Sequence, residues 1–403
     1  MNALFNIEKF IGEHITRRKE SLLAADLLIQ HDAIHREVNN KRVLVIGGAG
    51  TIGASFIKAI IRYAPAKLVV IDINENGLTE LVRDCRSRSD IKLPADFKSY
   101  PVNFGDKVFP KIFRKEGPFD IVANFAAHKH VRSEKDAFSI EAMIENNVLK
   151  AKQLLDLLLE FPPEHFFCVS TDKAANPVNI MGASKKLMED VILAYSHDLN
   201  ITTARFANVA FSNGSLLQGF IERMMKLQPL ASPSDVKRFF VSPQESGEIC
   251  LMACVLGQSG DIFFPKLDPE RDMVNFADIV SPFLLAFGFV PHICTSEAEA
   301  KNFEVTENSN LYPVYFFTSD TSGEKLYEEF YTDEEELELA RFEQLGVIKN
   351  ATRRSRAELD AIISSVSALF DAPVEKADIV NLLKKLLPGF AHIETGLNLD
   401  QKM

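Results

Sequence analysis

Short apolar runs recur along residues 41–207, and longer stretches with apolar positions at helical spacing separate them. The clearest runs are 43–46, 67–71, 120–125, 166–169 and 201–206, and a further one closes at Asn103-Phe104-Gly105-Asp106. An apolar run of this length between turn signals reads as a buried strand. Strands that alternate with helices predict βαβ units, so 41–207 is expected to be an α/β, Rossmann-type doubly wound parallel sheet. A helix is expected to carry Glu145-Asn146-Asn147-Val148-Leu149. Residues 1–40 predict a helical arm. Leu22, Leu23, Ala25, Leu27, Leu28 and Ile29 form its apolar side, and Arg17, Arg18, Lys19 and Glu20 its charged side. The arm serves either packing within the chain or a subunit contact.

The texture changes after Asn208. A loop at Ser212-Asn213-Gly214-Ser215 precedes a helical run to Gln228. Residues 208–350 are expected to form a smaller α+β substrate-binding domain, with a segment near 260–290 returning to the first domain, led by a strand over 260–265. The basic and aromatic run Lys237-Arg238-Phe239-Phe240-Val241 suits a nucleotide phosphate and a ring face, or equally an amphipathic edge strand. The acidic stretch 324–345, with Glu334-Glu335-Glu336, reads as a solvated helix. Residues 351–403 read as a helical appendage rich in leucine and lysine.

Composition narrows the partners. At 403 residues the chain can build two domains, and its 46% hydrophobic and 25% charged content is ordinary for a globular protein. A net charge of −11 argues against nucleic acid as a partner. Five cysteines without CxxC spacing, and an amino terminus interrupted by Glu8, Lys9, Glu13 and Arg17, point to the cytoplasm and to no signal sequence. The apolar stretch 283–290, between Pro282 and Pro291, is too short to span a bilayer. His128 and His130 have no cysteine or carboxylate cluster nearby in sequence, so no metal site is expected.

Two stretches carry candidate chemistry. The first expected strand runs into Gly47-Gly48-Ala49-Gly50-Thr51-Ile52-Gly53 and then a helix, which is the context a dinucleotide loop requires. Gly47 permits a tight turn, Gly50 lets a pyrophosphate approach backbone N–H groups, and Gly53 lets the helix pack on the strand. The next strand ends at Asp72, which can accept both ribose hydroxyls of an adenosine and would repel a 2′-phosphate. No arginine or lysine follows in Ile73-Asn74-Glu75-Asn76, so NAD is expected rather than NADP. The second stretch is Ser170-Thr171-Asp172-Lys173, at the end of the expected strand 166–169, followed by Met181-Gly182-Ala183-Ser184-Lys185. Strand ends line the ligand crevice of an open parallel sheet. On a helix starting near Gly182, Met181 and Lys185 face the same way. The plainer alternative is a capping turn with solvated lysines.

With these motifs in order, the chain resembles the extended short-chain dehydrogenase/reductases. Within them it is similar to the nucleotide-sugar 4,6-dehydratases of polysaccharide biosynthesis that act on UDP-N-acetylglucosamine. The resemblance spans about residues 22–347 and rests on the glycine loop, Ala126-Ala127-His128-Lys129-His130-Val131, Asn147-Val148, and residues 170–179 with 182–185. Arg205-Phe206-Ala207-Asn208-Val209 and Arg238-Phe239-Phe240 also fit. The superfamily usually has tyrosine where Met181 stands. A branch with methionine resembles the enzymes that begin bacillosamine-type and legionaminic-type sugars and retains configuration at carbon 5.

The resemblance implies oxidation at carbon 4, loss of water across carbons 5 and 6, and reduction at carbon 6, with NAD regenerated in the site. Elimination needs a base and an acid. Lys173 is the expected base and Asp172 the expected acid. Thr171 is expected to donate to the 4-oxygen and Lys185 to hold the nicotinamide ribose, with Met181 in the tyrosine's place. The 4-hydroxyl proton is left to Asp172 or an ordered water. Expected cofactor contacts are Gly47, Gly50, Thr51, Ile52, Gly53, Asp72, Asn76, Asp106, Ala126, Ala127, Asn147 and Lys185. Expected substrate contacts are Lys129, Asn208 and Arg238. A homo-oligomer is expected. The tyrosine-bearing inverting 4,6-dehydratases are the runner-up, and epimerases and non-catalytic dinucleotide sensors, which share the fold, are the further alternatives.

Overall fold

The computed structural model describes residues 5–306, 309–319, 325 and 327–394. The expected doubly wound sheet is present. Its strands are β1 (Arg42–Ile46), β2 (Lys67–Asp72), β3 (Asp96–Pro101), β4 (Ile121–Asn124), β5 (His165–Val169) and β6 (Ile201–Ala204). All pair in parallel, with β1 between β2 and β4. Every residue of β4, β5 and β6 is buried, as are four of the five in β1. Strands covered on both faces need continuous apolar runs rather than alternation, which is why these runs were visible in the sequence. The chain winds outward from β1 to β3, then returns to β1's other side at β4. That reversal opens a crevice beyond the carboxyl ends of β1 and β4.

Two short strands, β7 (Asn208–Val209) and β8 (Leu230–Pro233), lead into β9 (Lys237–Val241). Then β10 (Ile262–Pro265) returns to the large sheet, parallel to β6, as the sequence suggested. The remaining strands are β11 (Met273–Asn275), β12 (Val290–Cys294), β13 (Leu311–Phe317), β14 (Leu337–Glu338) and β15 (Leu345–Ile348). The last two extend the large sheet in antiparallel fashion beside β10. The smaller lobe holds two sheets, β11-β9-β7 and β12-β13-β8. β9 is therefore a central strand, not the edge strand that its pattern allowed.

The segment 260–290 divides between the lobes. β10 joins the large sheet, whereas Ile279, Val280, Phe283 and Leu284 of the helix Phe276–Ala286 join the smaller core. The amino-terminal arm is helical with breaks, and it bridges both cores: Phe10, Ile11 and Ile15 enter the smaller, and Leu23, Ile34 and Val38 the larger.

The acidic stretch is not a helix. Its described part is turns plus β14, and Glu335 is committed to the buried Arg205 at 2.9 Å, so a side chain read as solvated is a structural anchor. Residues 324 and 326 of that stretch lie outside the described residues, as do residues 395–403 of the appendage. The helices Arg356–Phe370 and Lys376–Leu386 pack on the helix Ile180–Ala194, where Arg354 Nε donates to Asp190 at 2.8 Å. Among the described residues no helix is long and apolar enough to cross a membrane.

Candidate active site

The crevice is a cavity of about 410 Å³ that runs from the glycine loop to the end of β5. Its dinucleotide-like end is built from backbone. Gly47 has φ +75°. A β-carbon there would lie 2.5 Å from the Ala126 nitrogen, so only glycine fits between β1 and the β4 loop. A β-carbon at Gly53 would lie 2.3 Å from the Gly47 oxygen. The helix Thr51–Ile60 begins at Gly50 with no side-chain cap, leaving its first N–H groups facing the cavity for an anion. Asp72 closes this end. Its carboxylate accepts from the Ala49 and Asn74 N–H groups, both at 2.9 Å, which fixes it while leaving lone pairs for ribose hydroxyls. The lining here holds Ile73, Val102, Asn103 and Phe104 and no basic side chain.

The other end is built from side chains. Thr171, Lys173, Met181 and Lys185 all line the cavity. Asn179 caps the helix Ile180–Ala194 by accepting from the Gly182 N–H at 2.7 Å. Met181 and Lys185 sit one turn apart on that helix and face the strand end, as their spacing predicted. Lys185 is buried, donates to the Val169 carbonyl at 2.6 Å, and has its pKa lowered by burial. The solvated-lysine alternative is thereby removed. Asn147 lies in a π-helical turn, Glu145–Leu149. It joins the β4 loop to the Met181 helix, exchanging bonds with the His128 backbone at 2.9 Å and donating to Ser184 at 3.0 Å.

Asp172 is buried behind Thr171 and Lys173 and does not line the cavity. One of its oxygens accepts from Thr171 Oγ1 at 2.8 Å, Lys173 N at 2.9 Å and Lys173 Nζ at 3.1 Å. Burial opposes the charge on Lys173, but Asp172 and Glu328 outweigh it and raise the lysine's pKa. Below this layer Glu189 accepts from Ser170 at 2.6 Å and from Arg205 at 2.8 and 2.9 Å. Burial works against its charge, and the guanidinium overcomes that, holding the carboxyl at about 2. This ion pair fixes the ends of β5 and β6 from beneath.

Gly47, Gly50, Thr51, Ile52, Gly53, Asp72, Ala126, Ala127, Lys129 and Asn208 line the same cavity. Burial lowers the pKa of Lys129 even though its side chain faces the open cleft. Four expected contacts lie off the lining. Asn76 is exposed on the first turn of the helix Glu75–Ser87, where Asn74 takes the capping role. Asp106 is exposed in the turn after β3, and Val102, Asn103 and Phe104 line the cavity in its place. Arg238 is buried on β9, off the lining, and donates to the Lys237 carbonyl at 2.9 Å. Asn147 stands just outside the lining, while its neighbour Asn146 is on it. His128 and His130 line the cavity; the grouping with metal-like proximity among the described residues is His292, Cys294 and Glu299, outside the cavity.

The sequence showed a loop at Ser212–Ser215 but not its place on the cleft, which it lines and where the Asn213 N–H donates to Thr51 Oγ1 at 2.9 Å. Sequence reasoning missed Glu134, whose carboxylate accepts from the Met181 N–H at 2.9 Å, and Glu328 beside Lys173. Neither glutamate belongs to a motif that spacing could have revealed.

Fold and cleft together define a Rossmann-type protein with the layout of the extended short-chain dehydrogenase/reductases. More particularly, the chain belongs to the polysaccharide biosynthesis protein family, which it matches over residues 43–350. It is 28% identical over 354 residues to a Methanocaldococcus jannaschii protein described as an uncharacterized membrane protein, covering 86% of this chain and 96% of that one. It is 26% identical over 255 residues to the inverting UDP-N-acetylglucosamine 4,6-dehydratase of Campylobacter jejuni, covering 61% of this chain and 72% of that one. The chain spans 43% and 52% of the length of two other polysaccharide biosynthesis proteins that it matches. Among solved structures, the dTDP-glucose 4,6-dehydratase of Streptomyces venezuelae with NAD bound superposes with a TM-score of 0.55. That match has 17% identity and covers 82% of this chain and 97% of that one.

Proposed function

We propose that this protein is a nucleotide-sugar 4,6-dehydratase that takes UDP-N-acetylglucosamine to the 4-keto-6-deoxy sugar with retention at carbon 5. The observation that carries this reading is one continuous cavity, lined at one end by the glycine loop and Asp72 and at the other by Thr171, Lys173, Met181 and Lys185. NAD fits the first end: the turn after Asp72 offers no cation to a 2′-phosphate, and the uncapped helix start offers N–H groups to a pyrophosphate. Bound there, NAD supplies the oxidation at carbon 4 and the reduction at carbon 6.

The residues of this chain do the rest. The Thr171 hydroxyl, which gives its own hydrogen to Asp172 at 2.8 Å, accepts from the sugar's 4-hydroxyl, and once that proton has passed it donates to the 4-ketone oxygen. Lys185 adds positive potential from beneath the cofactor site and orients the ribose. Lys173, as the free amine, removes the carbon 5 proton once the 4-ketone has acidified it. Asp172, joined to both Thr171 and Lys173, is the acid for the departing 6-hydroxyl, reached through its hydrogen-bonded neighbours. Met181 has no proton to exchange, so the proton of the 4-hydroxyl leaves by Thr171 toward Asp172. Retention rests on the likeness of Met181 to the methionine branch. The inverting reaction is the second reading, favoured by the activity of the Campylobacter relative.

Incubation with UDP-N-acetylglucosamine tests the reading. A product lighter by one water is expected, and proton couplings on the fresh product report carbon 5. A product of unchanged mass with an inverted hydroxyl overturns dehydration in favour of epimerisation.

A further inference from the structure

Lys173 meets two carboxylates, not one. Asp172, its chain neighbour, stands 3.1 Å from Nζ, and Glu328 stands 3.6 Å away from a distant loop. Glu328 is buried and does not line the cavity. The two residues that follow it are anchored. Glu329 accepts from Asn176 Nδ2 at 2.8 Å, and the Phe330 carbonyl accepts from the buried Arg205 at 3.1 Å. The Phe330 ring packs on Phe239 at 5.3 Å between centroids. These anchors fix the chain beside the cavity lysine, and Glu328 is buried there.

We propose that Glu328 is the positioning residue for Lys173: it clamps the ammonium from the side away from the cavity and gates its conversion to the free amine. Three charged groups face this pair: Asp172 from the end of β5, Arg238 from β9, and Lys325 from the same stretch as Glu328. Burial raises the pKa of Glu328, and the cations pull it back. Glu328 therefore holds the proton on Lys173 and sets how alkaline the site must be before the free amine forms. This rests on the reading of Lys173 as the base, but the electrostatic coupling holds whatever the substrate.

The test is competitive acetylation with acetic anhydride, which reacts only with the free amine. The Lys173 peptide is quantified by mass spectrometry from neutral to alkaline pH in the whole chain. Loss of an adjacent opposite charge shifts a pKa by about 1–3 units. Glu328→Gln is therefore expected to label at Lys173 about tenfold faster at a pH below the wild-type midpoint. Glu328→Asp, with its charge withdrawn by one methylene, should fall between the two. If Glu328→Gln does not fold, the Asp variant alone decides. Midpoints equal to wild type in the folded variants overturn the proposal. A merely structural role would lower the melting temperature and leave the midpoint still. Turnover of UDP-N-acetylglucosamine is the separate arm. If the wild type dehydrates it, Glu328→Gln should reach its kcat plateau at lower pH with KM unchanged. If the wild type does not, the function is wrong and the labelling still decides the coupling.

Discussion

The dinucleotide-like end of the cavity comes from one βαβ unit, with Gly47, Gly53 and Asp72 close in sequence and acting through backbone geometry. The other end is assembled from the end of β5, from β7 and from the start of the helix Ile180–Ala194, with the loop around Glu328 behind Lys173, and it acts through charge. A site made of backbone tolerates few side chains but needs no tuning of protonation. A site made of buried charges must be tuned, because each burial cost falls on a group that has to change its proton. The first is damaged by adding atoms, the second by removing or neutralising them.

Lys173→Met breaks the charged end hardest. Turnover is expected to fall by about 10²–10⁴, the usual cost of a lost acid or base. Cofactor affinity should stay unchanged, and reduced cofactor should accumulate on adding substrate, read as near-ultraviolet absorbance. Normal turnover would remove the chemistry from this end. Gly53→Val breaks the backbone end. Its side chain meets the Gly47 carbonyl, and overpacking a rigid contact costs about 1–3 kcal/mol or more. NAD affinity measured by calorimetry should fall about a hundredfold, with the Lys173 labelling midpoint unmoved. Asp72→Ala sharpens the same contrast. Two lost hydrogen bonds to a charged acceptor predict about a tenfold to hundredfold weaker NAD. NADP should gain relative to NAD in the same titration.

The difference between the ends also decides what the sequence could tell. The glycine loop and Asp72 were legible because a local turn restricts residue type at fixed offsets. The burial of β1, β4, β5 and β6 was legible because two-sided coverage demands unbroken apolar runs. Glu328 was not, since it sits in an ordinary acidic stretch and acquires meaning only when the loop folds back onto β5. The same stretch misled the reading of secondary structure: its charges suggested a solvated helix, whereas Glu335 binds Arg205. Asp172 was expected in the open site because it sits between Thr171 and Lys173. Those two line the cavity and Asp172 turns inward beneath them. Asp106 and Asn76 failed for a related reason, because the turn geometry after β3 and the cap at Asn74 decide which neighbour faces the ligand.

Glu134 offers the smallest test, and it separates tuning of charge from catalysis. Its carboxyl is buried under the first turn of the helix Ile180–Ala194 and accepts from the N–H groups of Met181 and Ile180. Burial raises its pKa from 4.5 to about 7, with those N–H groups resisting. A carboxyl raised on folding binds more protons in the native state than in the unfolded one between these values. Its stabilising contribution is complete below the unfolded pKa of 4.5 and is lost as pH rises through about 7. The difference amounts to about 3 kcal/mol. Glu134→Gln keeps an oxygen for the helix N–H groups and cannot ionise. Wild type and variant should melt alike near pH 5, and the variant should melt a few degrees higher near pH 8. Parallel melting curves across that range would show that Glu134 stays ionised and that this part of the charged end needs no tuning.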